Sequence, residues 1–181
     1  MDEDEYAFCH LAEGLCRALD HNCPPSRECG QRPACLPGEA AGAILLRLPC
    51  APRSVPPSRR HTRETLAAWR VNTSVTETLV LVVSELVTNA VRYSAWTRMP
   101  QAAAARRFFE LSLYALADRI RVEVRDRERK LPVPTAVTEY AEGGRGLEIV
   151  QCCTSRWGAY HTCAGGKVVW CDVSLDTTGG G

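Results

Sequence analysis

Residues 84–95 read SELVTNAVRYSA, the close of an apolar run that opens as TSVTETLVLVV at residue 73. Residues 74–93 have the periodicity of a helix. At about 100° per residue, Leu79, Val82, Val83, Leu86, Ala90 and Tyr93 project to one side, and Val80, Val87 and Val91 widen that apolar face. Glu85, Asn89 and Arg92 fall together on its border. A helix built to pack into a core thus carries a carboxylate, an amide and a guanidinium along one edge, where a polar ligand can be held half-buried. Alone, a Glu and an Asn four residues apart describe an ordinary solvated helix face. The weight of the pair depends on what stands around it.

On the N-terminal side, SRRHTRETLAAWRV (58–71) reads as a preceding helix with Ser58 or Thr62 as its cap. AILLRL, from residue 43, reads as a strand stopped by PCAPRSVPP, whose prolines remove backbone donors. Earlier still, EYAFCHLAEGLCRALD (5–20) spaces Phe8, Ala12, Leu15 and Leu19 as a short amphipathic helix does, and NCPPSRECGQRPACLPG is a proline- and glycine-rich loop. On the C-terminal side, RFFELSLYALADRIRVEVRD alternates as two strands meeting near Ala117 and Asp118. In the second strand Ile120, Val122 and Val124 oppose Arg121, Glu123 and Arg125, and Asp126 ends it. RERKLPVPTAVTEYAE then leads to GGRGLEIVQCCTSRW, a glycine turn opening a short helix, and GGKVVWCDVSL closes the chain as a strand entered through glycines. The boundaries expected are a partly disordered, cysteine-rich extension over 1–38, one folded domain over 39–176 and a disordered tail over 177–181.

The bulk composition agrees with one domain. In 181 residues, 45% are hydrophobic and 24% charged, enough for a core plus an appendage. With 22 Lys and Arg against 21 Asp and Glu, the net charge of +1 provides no long-range field for nucleic acid or an anionic membrane. Any anionic ligand must be held locally. No apolar stretch approaches the roughly 18 to 20 residues of a membrane span, and the start MDEDEY lacks the basic region of a signal peptide. A cytoplasmic protein is expected, and its ten cysteines, six of them within the first 50 residues, are expected to be thiols. His21, Cys23, Cys29 and Cys35 offer four zinc ligands without the usual CxxC spacing. Redox-sensing thiols, and cysteines with no special role, remain open for the same loop. Cys9 and Cys16, about 10 Å apart on a helix, cannot share one ion and pack as small hydrophobes. Cys152, Cys153, Cys163 and Cys171 fall in expected helix or strand, where burial is the default. His10, His61 and His161 have no phosphoacceptor context.

Three polar elements stand in order: Glu85 and Asn89 on a helix, Asp126 at a strand end, and Gly144, Arg145, Gly146 and Leu147 before a helix. A strand-ending Asp is commonly a turn former, and a GxG before a helix is either a plain tight turn or a set of exposed amides suited to phosphate. Taken as a series, they resemble the GHKL ATPase superfamily, which includes gyrase, histidine kinases and mismatch-repair ATPases, and within it the small anti-sigma factor serine kinases. SELVTNAVRYS looks like the N box, VEVRD like the adenine-contacting strand end, GGRGLEIV like the second glycine box, and WGAYHTCAGGKVVWCDV like the terminal hairpin. The likeness covers about residues 40 to 175.

The resemblance implies an α/β fold in the sense of an α+β sandwich of the GHKL, or Bergerat, type: one mixed, mainly antiparallel sheet with helices packed on one face. It implies ATP and Mg2+ as cofactors. Glu85 matches the residue that orients or deprotonates the attacking nucleophile, and Asn89 the magnesium ligand. Asp126 matches the acceptor for the adenine amino group. Gly144 and Gly146 match backbone donors beneath the phosphates, Leu147 completes that motif, and Arg92 and Arg145 are placed to add charge toward the polyphosphate. Three departures stand out. Relatives often have glycine after the adenine-binding Asp, whereas Asp126 is followed by Arg127, Glu128 and Arg129, which points to a tighter pocket or lower affinity. Tyr93 stands where close relatives often have histidine, and the segment between Asp126 and Gly144 leaves room only for a minimal lid.

Two functions follow from the resemblance. One is a magnesium-dependent serine/threonine protein kinase acting on an anti-sigma factor antagonist. The other is a non-catalytic, nucleotide-responsive module that sequesters a sigma factor or other regulatory partner. The branch commonly pairs as homodimers, and neither function calls for direct contact with nucleic acid or membrane.

Overall fold

The computed structural model describes the backbone of residues 8–9, 40–96, 107–132 and 145–175, with side chains over 40–92, 107–132 and 146–175. In chain order the elements are β1 (Phe8–Cys9), β2 (Gly42–Pro49), α1 (Val55–Ala68), α2 (Thr73–Trp96), β3 (Phe108–Ala115), β4 (Arg119–Asp126), α3 (Arg145–Cys153), β5 (Arg156–His161) and β6 (Lys167–Ser174). The strands form one sheet in the order β1-β2-β3-β4-β6-β5. Each of its pairings is antiparallel. The fold is α+β, as the sequence led us to expect.

Alternation decides which face each strand buries. Leu46 and Leu48 on β2, Phe109, Leu111 and Leu113 on β3, Ile120, Val122 and Val124 on β4, and Val169, Cys171 and Val173 on β6 all join one core. Leu66 of α1, the apolar stripe of α2 and Val150 of α3 complete that core, so the helices lie on one face of the sheet. Leu79, Val82, Val83 and Val87 are fully buried, as the helical projection requires. Thr73–Arg92 is also, by length and composition, apolar enough to cross a membrane, which corrects the expectation that no stretch approaches that length. More than half of it is buried against the sheet and its neighbours, the mark of a core helix.

The opposite face carries the polar set of the same strands. There Arg121 donates from Nε and Nη2 to Asp172 Oδ1 and Oδ2 at 2.8 and 2.9 Å. Arg121 also stacks over Trp170 at 4.6 Å, and Trp170 clusters with Tyr160 and Val168.

Local details differ from expectation at several points. α1 begins at Val55, with prolines in its first turn, where a missing N–H is no loss. Ser58 and Thr62 therefore lie inside the helix rather than capping it, and their hydroxyls donate to the carbonyls of Ser54 and Ser58. α2 is capped by Asn72, whose Oδ1 accepts from the Val75 amide at 2.8 Å. Phe8 and Cys9, expected in a helix, pair as a strand with Leu46 and Leu45 of β2. The rest of the 5–20 segment, the His21–Cys35 loop, the lid residues from 133 and the tail from 176 lie outside the described residues. Among the cysteines described, Cys50, Cys152, Cys153 and Cys171 are thiols, and Cys152 is exposed rather than buried. Cys163, exposed in the β5–β6 turn, is disulfide-bonded, against the expectation of a buried thiol.

Candidate functional site

The border of α2 behaves as its sequence periodicity demands. Glu85 and Asn89, flanked by buried Ser84, Leu86 and Ala90, are half-buried, and Arg92 is exposed. Ser84 ties this edge to α1: its Oγ accepts from Arg59 Nε at 2.6 Å and donates to the Val80 carbonyl at 2.7 Å. The first turn of α3 comes directly against the same edge. A Cβ placed on Gly146 would stand 2.6 Å from Glu85 Oε2, 3.5 Å from Asn89 Nδ2 and 3.7 Å from Asn89 Oδ1. Only a residue without a side chain permits this approach. Three groups read from sequence, Glu85, Asn89 and Gly146, thus meet in space although some sixty positions separate helix from glycine. The partnerless amides of a helix's first turn are here brought next to a carboxylate and a neutral amide.

The second part of the site lies at the end of β4. Asp126 continues the alternation of Val122 and Val124, so its side chain belongs to the helix-bearing face, and it is buried. Its Oδ1 accepts from the Glu128 amide at 2.8 Å, an Asx turn that ends the strand. The same oxygen accepts from Lys167 Nζ at 2.9 Å. The side chains of this ion pair are only 3% and 2% exposed for Lys167 and Asp126. Burial raises the Asp126 pKa above its ordinary 3.8, and the Lys167 ammonium and the Glu128 amide oppose that rise without cancelling it. The sheet register sets Asp126 directly opposite Lys167. Gly166, at φ 89°, lets the turn lie flat on β4: a Cβ there would stand 2.2 Å from the Asp126 carbonyl oxygen.

The remaining candidates divide plainly. Leu147 is half-buried in the first turn of α3. Arg145 opens α3 but its side chain, like that of Tyr93, lies outside the described residues, as does Gly144. Among the described residues no group of three or more His, Cys, Asp and Glu is placed to hold a metal ion. Lys167 is the site residue the sequence reading missed. Its signal was present in GGK at the mouth of the last strand, but the partnership with Asp126 exists only through the β4–β6 register. Cys171, on the core face of this strand, has its thiol pKa pushed well upward, chiefly by burial and then by the Asp172 carboxylate, which leaves it inert.

No curated protein matches the chain. A family match is clear: the histidine kinase-like ATPase domain aligns with residues 48–172, from the end of β2 to within β6. Domains of this family bind ATP, usually with Mg2+. The half-buried carboxylate and amide on α2, the glycine of α3 pressed against them and the buried Asp at the end of β4 lie within that span, and the chain belongs to the histidine kinase-like ATPase family.

Proposed function

We propose that this chain is an ATP-binding regulatory protein of the anti-sigma type, a magnesium-dependent serine/threonine kinase whose acceptor is an anti-sigma factor antagonist. The observation that carries the reading is the approach of Gly146 to Glu85 and Asn89. The first turn of α3, whose amides suit an anion, then stands beside a carboxylate able to act on an acceptor hydroxyl, which supports a reading of phosphoryl transfer by positioning with charge compensation. The donor set fits magnesium. Asn89 offers a neutral oxygen suited to a hard cation, and the lack of a carboxylate cage among the described residues suits an ion shared with phosphates. Bound there, the ion would neutralise phosphate charge. Glu85 orients the acceptor hydroxyl and takes its proton, Asn89 steadies the phosphate end, and Asp126 accepts from the base.

The test is magnesium-dependent ATP binding, with γ-phosphate transfer to purified anti-sigma factor antagonists, in wild type, Asn89→Ala and Glu85→Gln. Asn89→Ala is expected to bind ATP at least about tenfold more weakly. Glu85→Gln is expected to bind normally and lose at least about a hundredfold in transfer rate. Wild-type transfer by Glu85→Gln rejects the catalytic role, and absence of ATP binding by folded wild type rejects the kinase reading.

The second reading, a module that sequesters a sigma factor and uses nucleotide only for conformation, is favoured by one observation. The Asp126 carboxylate is already neutralised by Lys167, which weakens its hold on a base. Partner capture that is equal with and without ATP, and without transfer, would select it.

A further inference from the structure

We propose that Lys167 sets the base selectivity of the pocket, so that it accepts 6-keto purine nucleoside triphosphates as well as ATP. This rests on the reading of Asp126 as the group that meets the base.

A buried carboxylate standing alone is an acceptor and nothing else. It rewards a base that presents N–H and repels one that presents a carbonyl oxygen, and polar groups left unpaired in this way discriminate by factors of about 10^4. Asp126 does not stand alone. Lys167 Nζ lies 2.9 Å from its Oδ1, and this is a fixed partner, not a surface lysine that happens to pass. The strand register sets the two residues opposite each other, Gly166 clamps the backbone at that point, and both side chains are buried.

The ammonium brings three N–H donors and no acceptor. Oδ1 accepts from Lys167 and from the Glu128 amide, so the edge offered to a base pairs an acceptor with a donor. A 6-amino purine presents a donor at N6 beside an acceptor at N7. A 6-keto purine presents an acceptor at O6 beside a donor at N1. Each satisfies both members of the Asp126–Lys167 pair once the base shifts along its own edge. A lone carboxylate accepts an N–H from either base but leaves the O6 of the second beside negative charge with no donor near, and so favours the first.

The experiment is calorimetric binding of ATP and inosine triphosphate, both with magnesium, to the full chain as wild type and as Lys167→Met. The two ligands share sugar and phosphates and differ only at the base edge. For wild type the two dissociation constants should agree within about fivefold; Lys167→Met should widen the ratio at least about twentyfold against inosine triphosphate. A wild-type preference for ATP of about a hundredfold or more, or an unchanged ratio in the variant, overturns the proposal. If the Met variant does not fold by circular dichroism, the wild-type ratio decides, with Lys167→Arg, which keeps a donor, expected to preserve it. Failure of folded wild type to bind either nucleotide removes the ATP reading itself and this proposal with it, an outcome distinct from tight ATP binding with inosine triphosphate refused.

Discussion

Gly146 and Gly166 are both places where a methyl group does not fit, yet the obstacles differ in kind. At Gly146 the obstacle is the far end of the Glu85 side chain, which can swing away. Gly146→Ala should therefore cost under about 1.5 kcal/mol of stability, while displacing Glu85 and slowing phosphate transfer sharply; thermal unfolding and a transfer assay on the same sample separate the two. At Gly166 the obstacle is the Asp126 carbonyl, and φ is +89°. Gly166→Ala should lose about 2 to 3 kcal/mol, read as a fall in the urea midpoint. Asp126 adds a dependence on pH. Its folded pKa is raised, chiefly by burial, so its stability contribution is full below the ordinary value of 3.8 and is lost as pH rises through the folded value. Under the role proposed for Asp126, base binding runs the other way, since protonation removes the acceptor. On acidification nucleotide affinity should fall at a pH above 3.8 while this group's contribution to the stability of the fold grows, as a fluorescent ATP analogue followed beside circular dichroism would show. Glu85, Asn89 and Gly146 were legible in the sequence because helical periodicity and a glycine motif are local. Lys167 was not, because its meaning depends on a partner 41 positions away.

At the level of elements, long periodic segments were read correctly, as was the end of β4 at Asp126, whereas the start of α1 was not. The apolar stripe of α2 and the alternation of β3 and β4 reflect burial over many residues, which few local effects can mask. Ends depend on single side chains: Asn72, not a hydroxyl within the helix, caps α2, and prolines open α1 where Ser58 and Thr62 had looked like caps. Asn72→Ala should cost about 1 kcal/mol, and Ser58→Ala less than Asn72→Ala, both measurable by chemical denaturation. Phe8 and Cys9 had the spacing of a helix, yet pairing with the open edge of β2 decided their conformation. Tertiary context of this kind leaves no trace in a short sequence window.

For the whole molecule, composition only bounded the chain to one ordinary domain with an appendage, and the α+β layering came from the resemblance carried by SELVTNAVRYS, VEVRD and GGRGLEIV. The far face of the sheet was not foreseen. The sequence placed Arg121 only on the face opposite Ile120, Val122 and Val124 and singled out no role for Asp172, yet the two form a bidentate pair that is almost fully buried. Arg121→Met, which leaves the Asp172 carboxylate with only Arg119 Nε at 3.5 Å, should cost about 3 to 5 kcal/mol. Replacing both partners by apolar residues should recover most of that, and a double-mutant cycle in urea would show it.

The strand order carries one more consequence. β6 follows every other described strand along the chain, yet it lies inside the sheet, between β4 and β5. A nascent chain halted before Lys167 would present the bare edge of β4 and leave β5 without a neighbour. The end of the candidate site where Lys167 meets Asp126 would not exist. Strands β2, β3 and β4 can pair as they emerge, but β5 can join the sheet only through β6. Until residue 174 has emerged, the edge of β4 is an unpaired strand edge of the kind that invites pairing with other chains.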